Sequence, residues 1–150
     1  MNYSEKLKEA RAEHNMQQKD VAKILGISIS TYSDYENQIS VIPIKHLISL
    51  SEYYKLSIDY LLDLSHNYYY EDMHSFDIMV AGRRLKDWRR SLKIKQQQLA
   101  EELNTTQPVI ANYERGRTII STPFLYDICK KYKVSADYLL GKIDSPKSFK

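Results

Sequence analysis

Gln96-Gln97-Gln98-Leu99-Ala100-Glu101-Glu102-Leu103-Asn104-Thr105-Thr106-Gln107-Pro108-Val109-Ile110-Ala111-Asn112-Tyr113-Glu114-Arg115-Gly116 is the stretch on which the reading of this chain turns. Leu99, Ala100 and Leu103 recur one helical turn apart and predict a short helix over 96–103 with a single apolar face. Asn104 follows, one of the two residue types that best tolerate the left-handed conformation closing a helix. Thr106 is a good N-cap for a second helix over 106–115. On that helix Ile110 and Tyr113 share the inner face, and Gln107, Pro108, Ala111 and Asn112 are expected to look outward. Apolar groups would hold the helix while amide side chains face away from the core.

Working outward, the same pattern lies 78 residues upstream, without a gap. Leu7-Lys8 falls on Leu85-Lys86, Arg11 on Arg89, Gln18 on Gln96, Ala22 on Ala100 and Leu25 on Leu103. Tyr35-Glu36 falls on Tyr113-Glu114, Tyr54-Lys55 on Tyr132-Lys133, and Asp59-Tyr60-Leu61-Leu62 on Asp137-Tyr138-Leu139-Leu140. The chain therefore reads as two copies of one small domain, 1–65 and 79–143, with a linker at 66–78 and a tail at 144–150. Gly26 stands where Asn104 does, and Ser28 where Thr106 does, as helix end and N-cap. Ile44-Leu47-Ile48 and Leu125-Ile128-Tyr132 mark a fourth helix, with Pro43 suited to the first turn of the former. Ser57 and Ser135 can cap a short fifth helix ending at Leu62 or Leu140. The expected fold is all-α, five helices per copy.

Composition sets bounds. Hydrophobic residues make up 43% and charged residues 27% of 150, as in a folded globular chain. No apolar run nears the roughly 18 residues of a membrane span. The N-terminus lacks the apolar stretch of a secretion signal. Cys129 is a single cysteine, read as a small buried residue, and with no disulfide a cytoplasmic protein is expected. His14, His46, His66 and His74 show no ligand-like spacing, so neither metal nor cofactor is expected. No paired carboxylates, nucleophile–base set or phosphate loop argues for an enzyme. The net charge of +3 hides an asymmetry: residues 1–65 carry −2, 66–78 carry −3 and 79–150 carry +8. That asymmetry points the C-terminal half towards a polyanion.

Two short helices joined by so tight a turn make a helix-turn-helix unit. Gln107 and Asn112 can each pair bidentately with adenine in a major groove, at about 1–3 kcal/mol of discrimination per pair. Arg115, Gly116 and Arg117 follow where a loop would pass a phosphate strand. On these residues, and on Gln18-Lys19-Asp20-Val21-Ala22, Leu25-Gly26-Ile27-Ser28, Tyr35-Glu36-Asn37 and Ser57-Ile58-Asp59-Tyr60-Leu61-Leu62, both copies resemble the Xre, or lambda-repressor-like, family, which includes Cro. The resemblance covers some 125 residues. It implies two tandem five-helix domains and sequence-specific binding of double-stranded DNA, usually in repression of transcription. It further implies that Gln96 bonds a phosphate or supports Gln107, and that Arg89–Glu114 and Arg11–Glu36 tie helix one to the end of helix three.

Two departures from the family pattern stand out. Pro108 replaces a hydrogen-bonding residue and offers apolar contact alone. The first copy shows Ile29, Ser30, Ser33 and Asp34 on its outward face, and its following loop has no cation. Its candidate DNA contacts, Gln18, Ser28, Ile29, Ser30, Ser33 and Asp34, are thus expected to be weaker than Gln96, Thr106, Gln107, Pro108, Ala111, Asn112, Arg115 and Arg117. Ile29 and the Val41-Ile42 loop are equally candidates for a protein interface, with homodimerisation through the first domain or the linker. The leading expectation is a DNA-binding transcriptional repressor. The rival is a protein-interaction regulator of antitoxin or antirepressor type, in which the first domain mediates association.

Overall fold

Apolar residues at one-turn spacing, with caps between them, set where each helix starts and stops. The computed structural model describes residues 1–146, and among these are ten helices and no strand. They fall into two compact units, Met1–Tyr69 and the residues from Tyr70 onward. The first holds α1 (Ser4–Glu13), α2 (Gln18–Leu25), α3 (Ile29–Glu36), α4 (Ile44–Tyr54) and α5 (Ile58–Leu61). The second holds α6 (Ile78–Ser91), α7 (Gln96–Glu102), α8 (Gln107–Glu114), α9 (Thr122–Tyr132) and α10 (Ala136–Leu139).

The punctuation is local chemistry. Gly26 at φ 68° and Asn104 at φ 55° end α2 and α7 in the left-handed region. The hydroxyls of Ser28, Ser57 and Ser135 accept from the N–H groups of Thr31, Tyr60 and Tyr138. Thr106 occupies the N-cap of α8, but its hydroxyl makes no capping bond. Pro43 is the N-cap of α4 rather than a member of its first turn. Leu7, Val21, Tyr32, Leu47 and Leu61 form the first core; Leu99, Ala100, Ile110, Leu125, Cys129 and Ala136 contribute to the second.

Tyr3 escapes a reading based on periodicity. It is 3% exposed, and its hydroxyl donates to Ser40 O at 3.3 Å while accepting from Ile42 N–H at 3.1 Å. Ile42 is thereby buried, which removes it from the exposed loop surface; Val41 stays 48% exposed. Ala81 is Tyr3's counterpart, and there α6 starts a turn earlier, capped by Asp77, leaving a cavity of about 20 Å³ beside Ile78 and Ile120. The segment read as a linker is held at both ends. Asn67 and Tyr68 carbonyls accept from Ser57 in the first unit, whereas His74 N–H donates to Lys142 O at 2.8 Å in the second. Pro146 O accepts from Ser135 N–H at 3.2 Å; the rest of the expected tail, 147–150, lies outside the described residues.

In each unit a buried ion pair joins the first helix to the end of the third. Arg11 Nε and Nη2 donate to Glu36 Oε2 and Oε1 at 2.9 and 3.1 Å, and Nη1 to Met16 O at 3.2 Å. Arg89 does the same to Glu114 at 2.6 and 3.0 Å, and to Ile94 O at 2.7 Å. Both forks are bidentate and the carboxylates are buried. Burial alone would raise the Glu36 carboxyl; the bonds it accepts, those from Arg11 foremost, outweigh it and hold the group below the usual carboxylate range.

Glu36→Gln should therefore destabilise the first unit by about 1–3 kcal/mol at neutral pH. Because the folded-state pKa of Glu36 is depressed, the wild-type advantage is complete above the ordinary carboxylate value of about 4.3 and is lost as pH falls through the lower folded value. Calorimetric unfolding of both proteins from about pH 7 to about pH 3 should give stabilities that converge in acid. A gap of constant size throughout would refute this role for the pair.

Candidate nucleic-acid interface

α8 is packed between α6 and α7, so its inner face is spoken for and its first turn is open to solvent. Glu114, the last residue of α8, anchors more than Arg89. Gln96 Nε2 donates to Glu114 Oε1 at 2.9 Å, and Gln107 Nε2 donates to Gln96 Oε1 at 2.6 Å. A continuous chain, Arg89–Glu114–Gln96–Gln107, thus runs from the end of α6 to the first residue of α8. It fixes the Gln107 amide while leaving its oxygen and second N–H unused by that bond. Gln96 supports Gln107 here, one of the two roles the resemblance implies for it.

The outward face is narrower than the sequence suggests. At about 100° per residue, Pro108 and Asn112 lie about 160° from Ile110 on either side, with Arg115 about 140° away. Gln107 is only about 60° and Ala111 about 100° from Ile110. Pro108 is accordingly exposed, and Asn112 and Gln107 are half-buried. Gln107 thus lies on the flank rather than on the outward ridge, and the outward placement expected of Ala111 does not hold either. It is 5% exposed, because its position on the flank of the helix turns a small side chain into the packing around α8. Thr106, Arg115 and Arg117 are exposed. Gly116 takes φ 72° between the two arginines, and a Cβ there would meet Met79 Sδ at 2.6 Å. Lys93 and Lys95, both exposed just ahead of Gln96, add two cations to this end of α7. The Lys-x-Lys spacing before the helix was their available signal.

The first unit has the same scaffold and a different face. Gln18 Nε2 donates to Glu36 Oε1 at 3.1 Å, but the chain of bonds stops there, because Ile29 stands in Gln107's place. Ser28 is occupied in capping α3, and Ser33 Oγ accepts from Asn37 Nδ2 at 3.1 Å. Ser30 is exposed and Asp34 half-buried. Where the second unit has Glu102, Gln107 and Arg117, the first has Ile24, Ile29 and Ile39, exposed by 40%, 53% and 72%. Both units have the same scaffold, but the arginines that follow the third helix and the amides at its first and sixth residues are on the second.

Among the described residues no helix is long and apolar enough to cross a membrane. The chain is 41% identical over 64 residues to the HTH-type transcriptional regulator ImmR of Bacillus subtilis (strain 168), a match covering 43% of this chain and 50% of ImmR. It is 36% identical over 72 residues to an uncharacterized transcriptional regulator in the ATPase CF(0) region of Rhodospirillum rubrum, covering 48% and 66%. It is 32% identical over 63 residues to the uncharacterized HTH-type transcriptional regulator YobD of Bacillus subtilis (strain 168), covering 42% and 56%. The chain thus spans between half and two thirds of the length of these relatives. No solved structure gives a significant match. The HTH_3 helix-turn-helix family matches residues 7–61 and again 85–139, the same helices that build the two units, and the chain belongs to that family twice over, in tandem.

Proposed function

We propose that the protein is a sequence-specific binder of double-stranded DNA that represses transcription by occupying an operator, with the second unit as its reader. The observation that carries this is the hydrogen-bond chain ending at Gln107, which orients an amide on a helix whose outward ridge is Pro108, Asn112 and Arg115. In this reading Gln107 and Asn112 pair with base edges, and Arg115 and Arg117 meet phosphates on leaving the helix. Gln96 supports the first turn through Gln107, and Thr106, exposed at the N-cap with no capping bond from its hydroxyl, faces the phosphate backbone. Ala111 contributes packing rather than base contact. The +8 charge of residues 79–150 adds long-range attraction to the duplex. The relatives' names as transcriptional regulators support the role. We place the protein in the cytoplasm as a binding protein without catalysis.

In the full chain, Asn112→Ala or Gln107→Ala should cost about 1–3 kcal/mol at the operator and far less on random duplex. Arg115→Ala or Arg117→Ala should weaken both and lower the salt slope by about one unit each. Fluorescence anisotropy at several salt concentrations reads both effects. Equal losses on the two DNAs for Asn112→Ala would remove it as a base reader.

The exposed isoleucines favour a second role for the first unit, self-association rather than strong DNA reading through Gln18, Ser28, Ile29, Ser30, Ser33 or Asp34. Sedimentation should then give twice the 17.7 kDa chain mass, and Ile29→Ser with Ile39→Ser should return the monomer. A monomeric wild-type chain at micromolar concentration would defeat the association reading.

A further inference from the structure

Pro108 is the member of the outward ridge that cannot hydrogen-bond. It is exposed in the first turn of α8, between the fixed Gln107 and the ridge neighbour Asn112. The fold does not demand it. Its counterpart in α3, a helix of the same length, is Ser30, although there Ser28 caps the first turn and Thr106 makes no such bond in α8. Nor does proline harm the helix, since an N–H in the first turn has no intrahelical partner to lose. What proline brings is a rigid apolar ring held at the surface where the bases would lie.

A major groove offers such a ring little choice. The base-edge groups there are donors and acceptors, apart from the small C5–H of cytosine and the one apolar group that protrudes into the groove, the C5-methyl of thymine. We propose that Pro108 reads a thymine methyl, making it a specificity-determining residue for the operator. The inference rests on the DNA-reading function proposed above and adds a position to it. Asn112 lies four residues on, about 6 Å along the helix axis. With bases about 3.4 Å apart along each strand, the thymine lies within about two base pairs of the one Asn112 reads. The half-site thus carries a thymine whose methyl faces α8's first turn, beside a base pair chosen by an amide.

The test uses the full chain and an operator selected from a pool of random synthetic duplexes. Each thymine of the half-site is replaced in turn by deoxyuridine, which removes the methyl and leaves the pairing edge intact. At one thymine, within about two base pairs of the position where Asn112→Ala loses discrimination, binding should weaken about fourfold, the effect of one buried methyl. Pro108→Ser, which installs the residue the first unit carries, should bind the thymine operator about fourfold more weakly and ignore the deoxyuridine change. A selective operator with no methyl-dependent thymine, or one whose dependence survives in Pro108→Ser, overturns the role of Pro108 while leaving DNA reading intact. A pool that yields no preferred sequence overturns the DNA-reading function and this inference together.

Discussion

A buried carboxylate must be answered, and in each unit a single guanidinium answers it. Arg11 reaches Glu36, and Arg89 reaches Glu114, with two bonds apiece, while the third nitrogen of each fork takes the carbonyl of Met16 or Ile94 beyond the first helix. One side chain therefore joins three pieces of backbone: the end of the first helix, the turn after it and the end of the third. A glutamine at the start of the second helix, Gln18 or Gln96, completes the same carboxylate. Removing the arginine leaves a buried carboxylate without its charge partner, which is costlier than losing a surface pair. The angle of α3 or α8 follows from this closure, so the outward ridge inherits its direction from a pair that lies on the opposite side of the helix.

Much of this architecture was legible in the residues, for reasons that differ by element. The repeat is written in the residues themselves, since Arg11, Gln18 and Glu36 recur as Arg89, Gln96 and Glu114 at one fixed offset. Gly26, Asn104, Ser28, Ser57 and Ser135 marked helix ends because capping acts within a few residues and is therefore written locally. Ala111 was not legible. A periodicity reading divides a helix into two faces, whereas α8 is flanked by two helices and leaves a ridge only about two residues wide. An alanine on the flank is small enough to pack either way. Tyr3 was hidden for the opposite reason, since its partners Ser40 and Ile42 lie far along the chain. The linker's ends were likewise fixed by distant groups, Ser57 for one and Lys142 for the other.

The two units separate what the fold requires from what it merely displays. Positions that close the scaffold carry the same residue in both: Arg11 and Arg89, Gln18 and Gln96, Glu36 and Glu114. Positions on the display side differ almost throughout, with Ile29, Ser30, Asp34, Asn37 and Ile39 set against Gln107, Pro108, Asn112, Arg115 and Arg117. Physical reasoning accounts for the division. A side chain directed at water contributes little to stability, typically within about 0.5 kcal/mol either way, so exchange there leaves the fold intact. The same side chain dominates an encounter with a charged surface.

Charge then amplifies the difference. An arginine on the rim of a reading helix releases counterions from a duplex and strengthens binding of any sequence, whereas an aspartate at the equivalent distance repels it. Under the proposed function, Arg115 and Arg117 against Asn37 and Ile39 is a change of two such contacts, before Asn112 against Asp34 is considered. Common geometry gives both units a helix of the right size for a groove, but geometry alone fixes no ligand. The hydrogen-bond chain adds the last distinction. In the second unit it continues to the first residue of α8, because the Gln107 amide donates to Gln96. In the first it halts at Gln18, because isoleucine has nothing to offer an amide. A single residue at the start of the third helix thereby decides whether the buried ion pair is connected to that helix's first turn or isolated from it.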